Sequence, residues 1–129
     1  CVNDHSCPSA ISQHAGIEAL KGPKETICNI KKEFHKRKNF IHSKLNELNN
    51  ISCFEPGGAF YAFPNVSKSG LNGKKFSNIA LEEKGVALVP GTSFGDTAED
   101  FVRISYANSM ENLEKAIYRL SLIWKKLKL

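Results

Sequence analysis

The feature that most constrains this chain is the run FVRISYA, Phe101 to Ala107, in which one arginine stands among apolar and small residues. Side chains alternate across a strand, so Val102, Ile104 and Tyr106 share one face and Phe101, Arg103 and Ser105 the other. The Val and Ile face suits a core covered by helices. Arg103 therefore points away from that core, flanked by an aromatic and a hydroxyl. A guanidinium in that position either meets a nearby acid, Glu99 or Asp100, or waits for an anion. Its planar fork matches a carboxylate through two parallel hydrogen bonds, which the point charge of a lysine does not reproduce. Held on a strand, the fork has a fixed direction, which suits positioning a substrate. Taken by itself, a lone strand arginine is more simply a structural ion pair, and such pairs contribute little at a surface.

The rest of the chain leads towards that strand. Ser9 to Lys21 reads as a helix, capped by Ser9 and ended by Gly22, with Ala10, His14, Ile17 and Leu20 as a weak apolar stripe. A longer helix spans roughly Lys24 to Leu48, with Ile27, Ile30, Phe34, Ile41, Leu45 and Leu48 at helical steps. Its other face carries Lys31, Lys32, Lys36, Arg37 and Lys38. Ile51 to Pro64 is extended, with a turn or a close backbone approach at Gly57-Gly58. Ala59 to Phe63 reads as an aromatic strand, and Pro64 to Gly73 as a polar loop. Lys74 to Lys84 is a helix with Phe76, Ile79, Ala80 and Leu81 inward, closed by Gly85. Val86 to Val89 is a short strand, Pro90-Gly91 a turn, and Thr92 to Asp100 a loop. After the arginine strand, Ser109 caps a last helix whose inward stripe is Leu113, Ala116, Ile117, Leu120, Ile123, Trp124 and Leu127. Lys125, Lys126 and Lys128 complement its carbonyl end.

These elements predict an α/β fold, an α+β small domain: a short-stranded sheet covered by helices, with a long N-terminal helix and a C-terminal helix. Helices between strands allow some parallel pairing, and Phe54 to Phe63 could instead form an antiparallel hairpin. With 129 residues, 41% hydrophobic and 24% charged, the chain can bury a core. It opens on Cys1 rather than methionine and reads as a fragment or a processed product. No apolar run reaches the length of a membrane span, so no membrane partner is expected. A net charge of +5 permits anionic partners without demanding them. The basic helix face lacks interleaved aromatics and reads as solvated, so no nucleic acid is expected. Cys1, Cys7, Cys28 and Cys53 form no C-x-x-C pair, and His5, His14, His35 and His42 are scattered, so no metal site is expected. Reduced thiols in a cytosol fit this composition. No G-x-S-x-G is present, and Gly91-Thr92-Ser93-Phe94-Gly95 is not a Walker loop. Glu82-Glu83 and Glu99-Asp100 are adjacent acids of the solvated kind.

The ordered motifs resemble a known family. Ser6-Cys7 with Ser12-Gln13, Pro56-Gly57-Gly58-Ala59-Phe60-Tyr61, Gly85-Val86 through Val89-Pro90-Gly91, Phe94-Gly95, Arg103-Ile104-Ser105-Tyr106-Ala107 and Leu113 to Leu120 carry the likeness. Together they resemble the C-terminal part of class I, fold-type I pyridoxal-phosphate aminotransferases, of the aspartate aminotransferase-like group. The resemblance implies that Arg103 binds the α-carboxylate of an amino-acid or 2-oxo-acid substrate. It implies that residues 1–22 are the tail of a large cofactor domain and residues 23–129 a small domain that closes on it. It implies pyridoxal 5'-phosphate as cofactor and a homodimer, and the cysteine usage noted above adds a cytoplasmic location. The family's Schiff-base lysine follows a serine and shortly precedes a Gly-x-Arg. Ser43-Lys44 and Ser67-Lys68 lack that context, so no catalytic or cofactor-binding residue is expected here, and the chain by itself is expected to be inactive. A lyase or synthase of the same superfamily, or a non-catalytic binding module, stays open as an alternative.

Overall fold

The computed structural model describes residues 7–127, with their side chains through Ile123. The roles expected of Ser6, Trp124, Lys125, Lys126, Leu127 and Lys128 lie outside the described residues or side chains. In order, the elements are α1 (Ala10–Lys21), α2 (Glu25–Glu47), β1 (Tyr61–Ala62), α3 (Gly73–Lys84), β2 (Val89–Pro90), β3 (Val102–Ser105) and α4 (Met110–Leu127). Tight 3-10 turns occupy Ser67–Ser69, Gly91–Phe94 and Asp96–Ala98, inside stretches that read as loops. The chain divides into two compact units, Cys1–Lys31 and Lys32–Leu129.

In the first unit, Ser9 caps α1 by accepting from the Ser12 amide, as its position requires. The α1 stripe is too weak to build a core, and the helix buries none of its residues. Ile27 and Ile30, on the α2 stripe, are exposed as well.

The second unit holds the core. Ile41 and Leu45 of α2, Phe76 and Ala80 of α3, Val102 and Ile104 of β3, and Leu113, Ile117, Leu120 and Ile123 of α4 are all buried in it. Helical and strand periodicities thus converge on one apolar cluster, burial of which is the main stabilising term. Leu81 is the exception: it is 55% exposed, because α3 faces the core through Phe76 and Ala80 and turns Leu81 outward.

The sheet order is β1-β3-β2, with β3 central. Tyr61 pairs with Ser105 and Ala62 with Ile104, while Val89 pairs with Arg103 and Pro90 with Val102, all antiparallel. Parallel pairing does not occur among these strands, because β3 runs against both neighbours. The Phe54–Phe63 hairpin does not form either. The arms meet only at the Ser52–Asn65 bridge, and the run between them is an extended loop closed by a turn before β1. In that turn it is Ala59, not a glycine, that takes a left-handed φ of 57°.

The strand expected at Val86–Val89 is paired only at its end. Gly85 leaves α3 with φ 62°, and the Val86 amide then bonds the Ala80 carbonyl. Residues used to cap a helix in this way cannot also extend a strand. α3 itself begins at Gly73, capped by Asn72, whose side chain accepts from the Lys75 amide. Ser109 caps α4 as read, accepting from the Asn112 amide at 3.2 Å.

Candidate functional site: a strand arginine against two aromatic rings

The alternation read from FVRISYA holds. Val102, Ile104 and Tyr106 are buried in the core, Arg103 is half-buried on the opposite face, and Ser105 is exposed. The two acids expected to pair with it do not. Glu99 accepts from the Asn72 side-chain amide at 3.3 Å, and the four ion pairs among the described residues do not include Arg103. Its N–H donors meet no protein acceptor among those residues.

Aromatic faces surround it instead. The guanidinium carbon lies 4.3 Å from the centre of the Tyr61 ring and 4.5 Å from that of Phe94. Tyr61 is placed by strand register. It sits opposite Ser105 on β1, so Arg103 is its diagonal neighbour on the same face, within reach of a large side chain. Phe94 stands at the end of the 3-10 turn that follows β2. That turn starts at Gly91, whose amide donates to the Phe101 carbonyl at 2.8 Å. Further rings continue the row. Phe60 lies 4.4 Å from Tyr61 and 6.2 Å from Phe34, and Phe63 joins Phe94 edge-on at 5.9 Å while stacking on Phe101 at 5.2 Å.

The glycine turn before β1 is fastened to the same strand. The Tyr106 hydroxyl donates to the Ala59 carbonyl at 3.0 Å, and its amide donates to the Phe60 carbonyl at 2.9 Å. Burial pushes the Tyr106 phenol above its usual pKa, against a smaller opposing pull from Lys38. At neutral pH the hydroxyl therefore keeps the proton that this bond needs. The sequence reading singled out Arg103 and gave no role to Tyr61 and Phe94, which the structure places against it, or to Tyr106, which holds the Ala59 carbonyl. Strand alternation placed Tyr106 correctly, but its bond to Ala59 depends on a long-range approach that no local pattern encodes.

A half-buried guanidinium whose N–H groups meet no acceptor among the described residues can donate two parallel hydrogen bonds to a planar oxyanion. The basic face of α2 offers less. Arg37 pairs with Glu33 and lies over Phe34, and Lys38 pairs with Glu55 at 2.6 Å. Among the described residues no group of three or more His, Cys, Asp or Glu could hold a metal. A cavity of about 430 Å³ lies between the Gly85–Leu88 segment and α4, where Asn108, Asn112, Lys115 and Arg119 line it, and Arg103 does not. Lys44 is engaged by Glu47 at 2.6 Å, and Lys68 stands exposed in a 3-10 turn.

The site is thus an arginine on the central strand of an antiparallel sheet, set against two aromatic rings and without an ion pair among the described residues. The chain belongs to the class I and II aminotransferase family, whose model matches residues 2–120. It is aspartate aminotransferase-like. It is 43% identical over 110 residues to an aspartate aminotransferase of Pyrococcus horikoshii, covering 84% of this chain and 28% of that protein. It is 36% identical to aromatic-amino-acid aminotransferase 2 of Thermococcus litoralis, covering 96% of this chain and 32% of that protein. The crystal structure of an aromatic aminotransferase from Pyrococcus horikoshii OT3 superposes with a TM-score of 0.89 at 40% identity, over 95% of this chain and 33% of that one. The chain thus spans about a third of the length of the relatives it matches.

Proposed function

We propose that this chain is the substrate-gripping part of an aminotransferase that moves an amino group between an amino acid and a 2-oxo acid, with Arg103 binding the α-carboxylate. The observation that carries the reading is an arginine held half-buried on a strand with no ion pair to an acid among the described residues. Leaving a guanidinium partly desolvated and unpaired is unfavourable unless a ligand completes it. Both substrates of such a reaction carry a carboxylate beside the reacting carbon, so one fork serves both halves of the exchange. Fixing that carboxylate orients the reacting carbon. Pyridoxal 5'-phosphate, the cofactor the family implies, would supply the carbanion-stabilising chemistry. Its anchoring groups are not among the residues described here, and this stretch alone is inactive in our reading.

We assign residues 1–22 to the end of a cofactor-bearing domain and residues 23–129 to a small domain, in a protein that works as a cytoplasmic homodimer. Cys7, Cys28 and Cys53 are free thiols, which agrees with a reducing compartment. Among the described residues no helix is long and apolar enough to cross a membrane.

The test is Arg103→Ala in the intact protein. A bidentate charge-assisted contact contributes about 1.5–3 kcal/mol or more, so KM for amino acid and oxo acid should both rise by roughly ten- to several-hundredfold. Arg103→Lys should recover only part of the loss. Unchanged KM values would end the assignment.

A further inference from the structure

We propose that Tyr61 and Phe94 are positioning residues: they clamp the Arg103 guanidinium between them and leave only its edge open to a carboxylate. This rests on the reading of Arg103 as the carboxylate-binding residue, and adds what holds that residue in its working orientation.

The geometry requires two separate jaws. Each ring centre lies within 4.5 Å of the guanidinium carbon. Rings that shared one side of it would contact one another at about 4.5–7 Å. Phe94 contacts Phe63, and Tyr61 contacts Phe60, but no ring contact joins Tyr61 to Phe94. The rings therefore approach from different sides. The faces of a guanidinium are its weakly hydrated surfaces and stack well on aromatic rings, whereas all its N–H donors lie in the plane. Covering the faces stabilises the cation without using a single donor. It also removes the torsional freedom that a long side chain would lose on binding.

The jaws have independent supports. Tyr61 is held by the β1–β3 ladder. Phe94 stands on a loop, 51% exposed, braced edge-on by Phe63, which itself stacks on Phe101. A carboxylate arriving over either face would have to displace a ring. One arriving in the plane meets the fork in its bidentate orientation. An acid such as Glu99 or Asp100 would have satisfied the same arginine at the price of blocking those donors. Two rings stabilise it and keep the donors free.

The experiment uses the intact protein and reads KM, kcat, the inhibition constant of a simple monocarboxylate, and the melting temperature. Tyr61→Leu and Phe94→Leu keep apolar bulk and remove the π face. Each should raise both KM values and the inhibition constant about three- to thirtyfold, the range expected of a partly desolvated cation–π contact. The value of kcat should change far less. Restoring a ring, through Tyr61→Phe or Phe94→Tyr, should recover most of the affinity. Fluorinated phenylalanine at position 94 keeps the shape and weakens the ring's negative face. KM should climb with each added fluorine, which a purely structural ring would not produce, and this readout serves even if a leucine variant folds poorly. In an Arg103→Lys background the leucine substitutions should add less than twofold. If Arg103→Ala raises KM while the leucine and fluorinated variants leave it unchanged, the clamp is wrong and the arginine assignment stands. If Arg103→Ala changes nothing, both fall.

Discussion

Tyr106 shows how much one side chain can fix. Its ring is buried in the core, its hydroxyl holds the Ala59 carbonyl, and its amide holds the carbonyl of Phe60. Ala59 has a left-handed φ, an arrangement that disfavours any residue with a Cβ and persists only when its surroundings impose it. Tyr106→Phe keeps the ring and the amide bond but loses the hydroxyl bond, and should destabilise by about 1 kcal/mol in chemical denaturation. The pH dependence has a definite sign. Burial raises the phenol's pKa in the folded state, so its contribution is fully present below the ordinary tyrosine value of about 10 and is lost as pH rises through the raised value. The wild type should therefore lose stability more steeply than Tyr106→Phe as pH rises above about 10. Equal slopes would show that Tyr106 does not titrate in the folded protein in this way. Cys53 behaves similarly at lower pH: it is buried, and burial raises its thiol pKa. A neutral-pH alkylating reagent should modify exposed Cys7 and Cys28 first and reach Cys53 only on unfolding.

Among the elements, the loop carrying Phe94 depends on one glycine. A Cβ at Gly91 would run into the Ala98 carbonyl and crowd that of Phe101, both backbone atoms with no room to retreat. Gly91→Ala should destabilise by about 2–4 kcal/mol, as other backbone clashes in a packed site do. Where the protein still folds, it should also raise KM by shifting Phe94; a variant with wild-type stability and KM would show that the loop tolerates displacement. Pro90-Gly91 was legible in sequence as a turn, but its close approach to Phe101 was not, because that contact joins segments brought together only by the β2–β3 pairing. The same division runs through the fold. α4 was readable because Leu113, Ile117, Leu120 and Ile123 repeat at helical spacing over a long stretch. The orientation of Arg103 was readable because strand alternation is strictly local. The β1–β3 register, which sets Tyr61 beside Arg103, was not, since nothing in either segment names its partner. For the same reason Glu99 and Asp100, near in sequence, were the natural candidates for a pair that the structure does not make.

Among the described residues burial is distributed unevenly, and its consequence can be measured. α1 has twelve residues and buries none of them, so its stability in this chain rests on its own hydrogen bonds and the Ser9 cap. Isolated helices shorter than about 12–15 residues are marginal in water. β3, by contrast, is the central strand of the sheet and sends Val102 and Ile104 into the core. Native-state hydrogen exchange on this chain should therefore find the α1 amides exchanging within about a hundredfold of an unstructured peptide. The β3 amides should exchange only through global opening. If residues 1–22 belong to a cofactor-bearing domain, the exposed Ile11, Ile17 and Leu20 gain cover in a protein of the relatives' full length. Protection of α1 should then rise by several orders of magnitude in that longer protein, while β3 gains little. Protection of α1 equal to that of β3 in the present chain would mean that these residues need no further domain, and the boundary proposed near residue 22 would have to be abandoned.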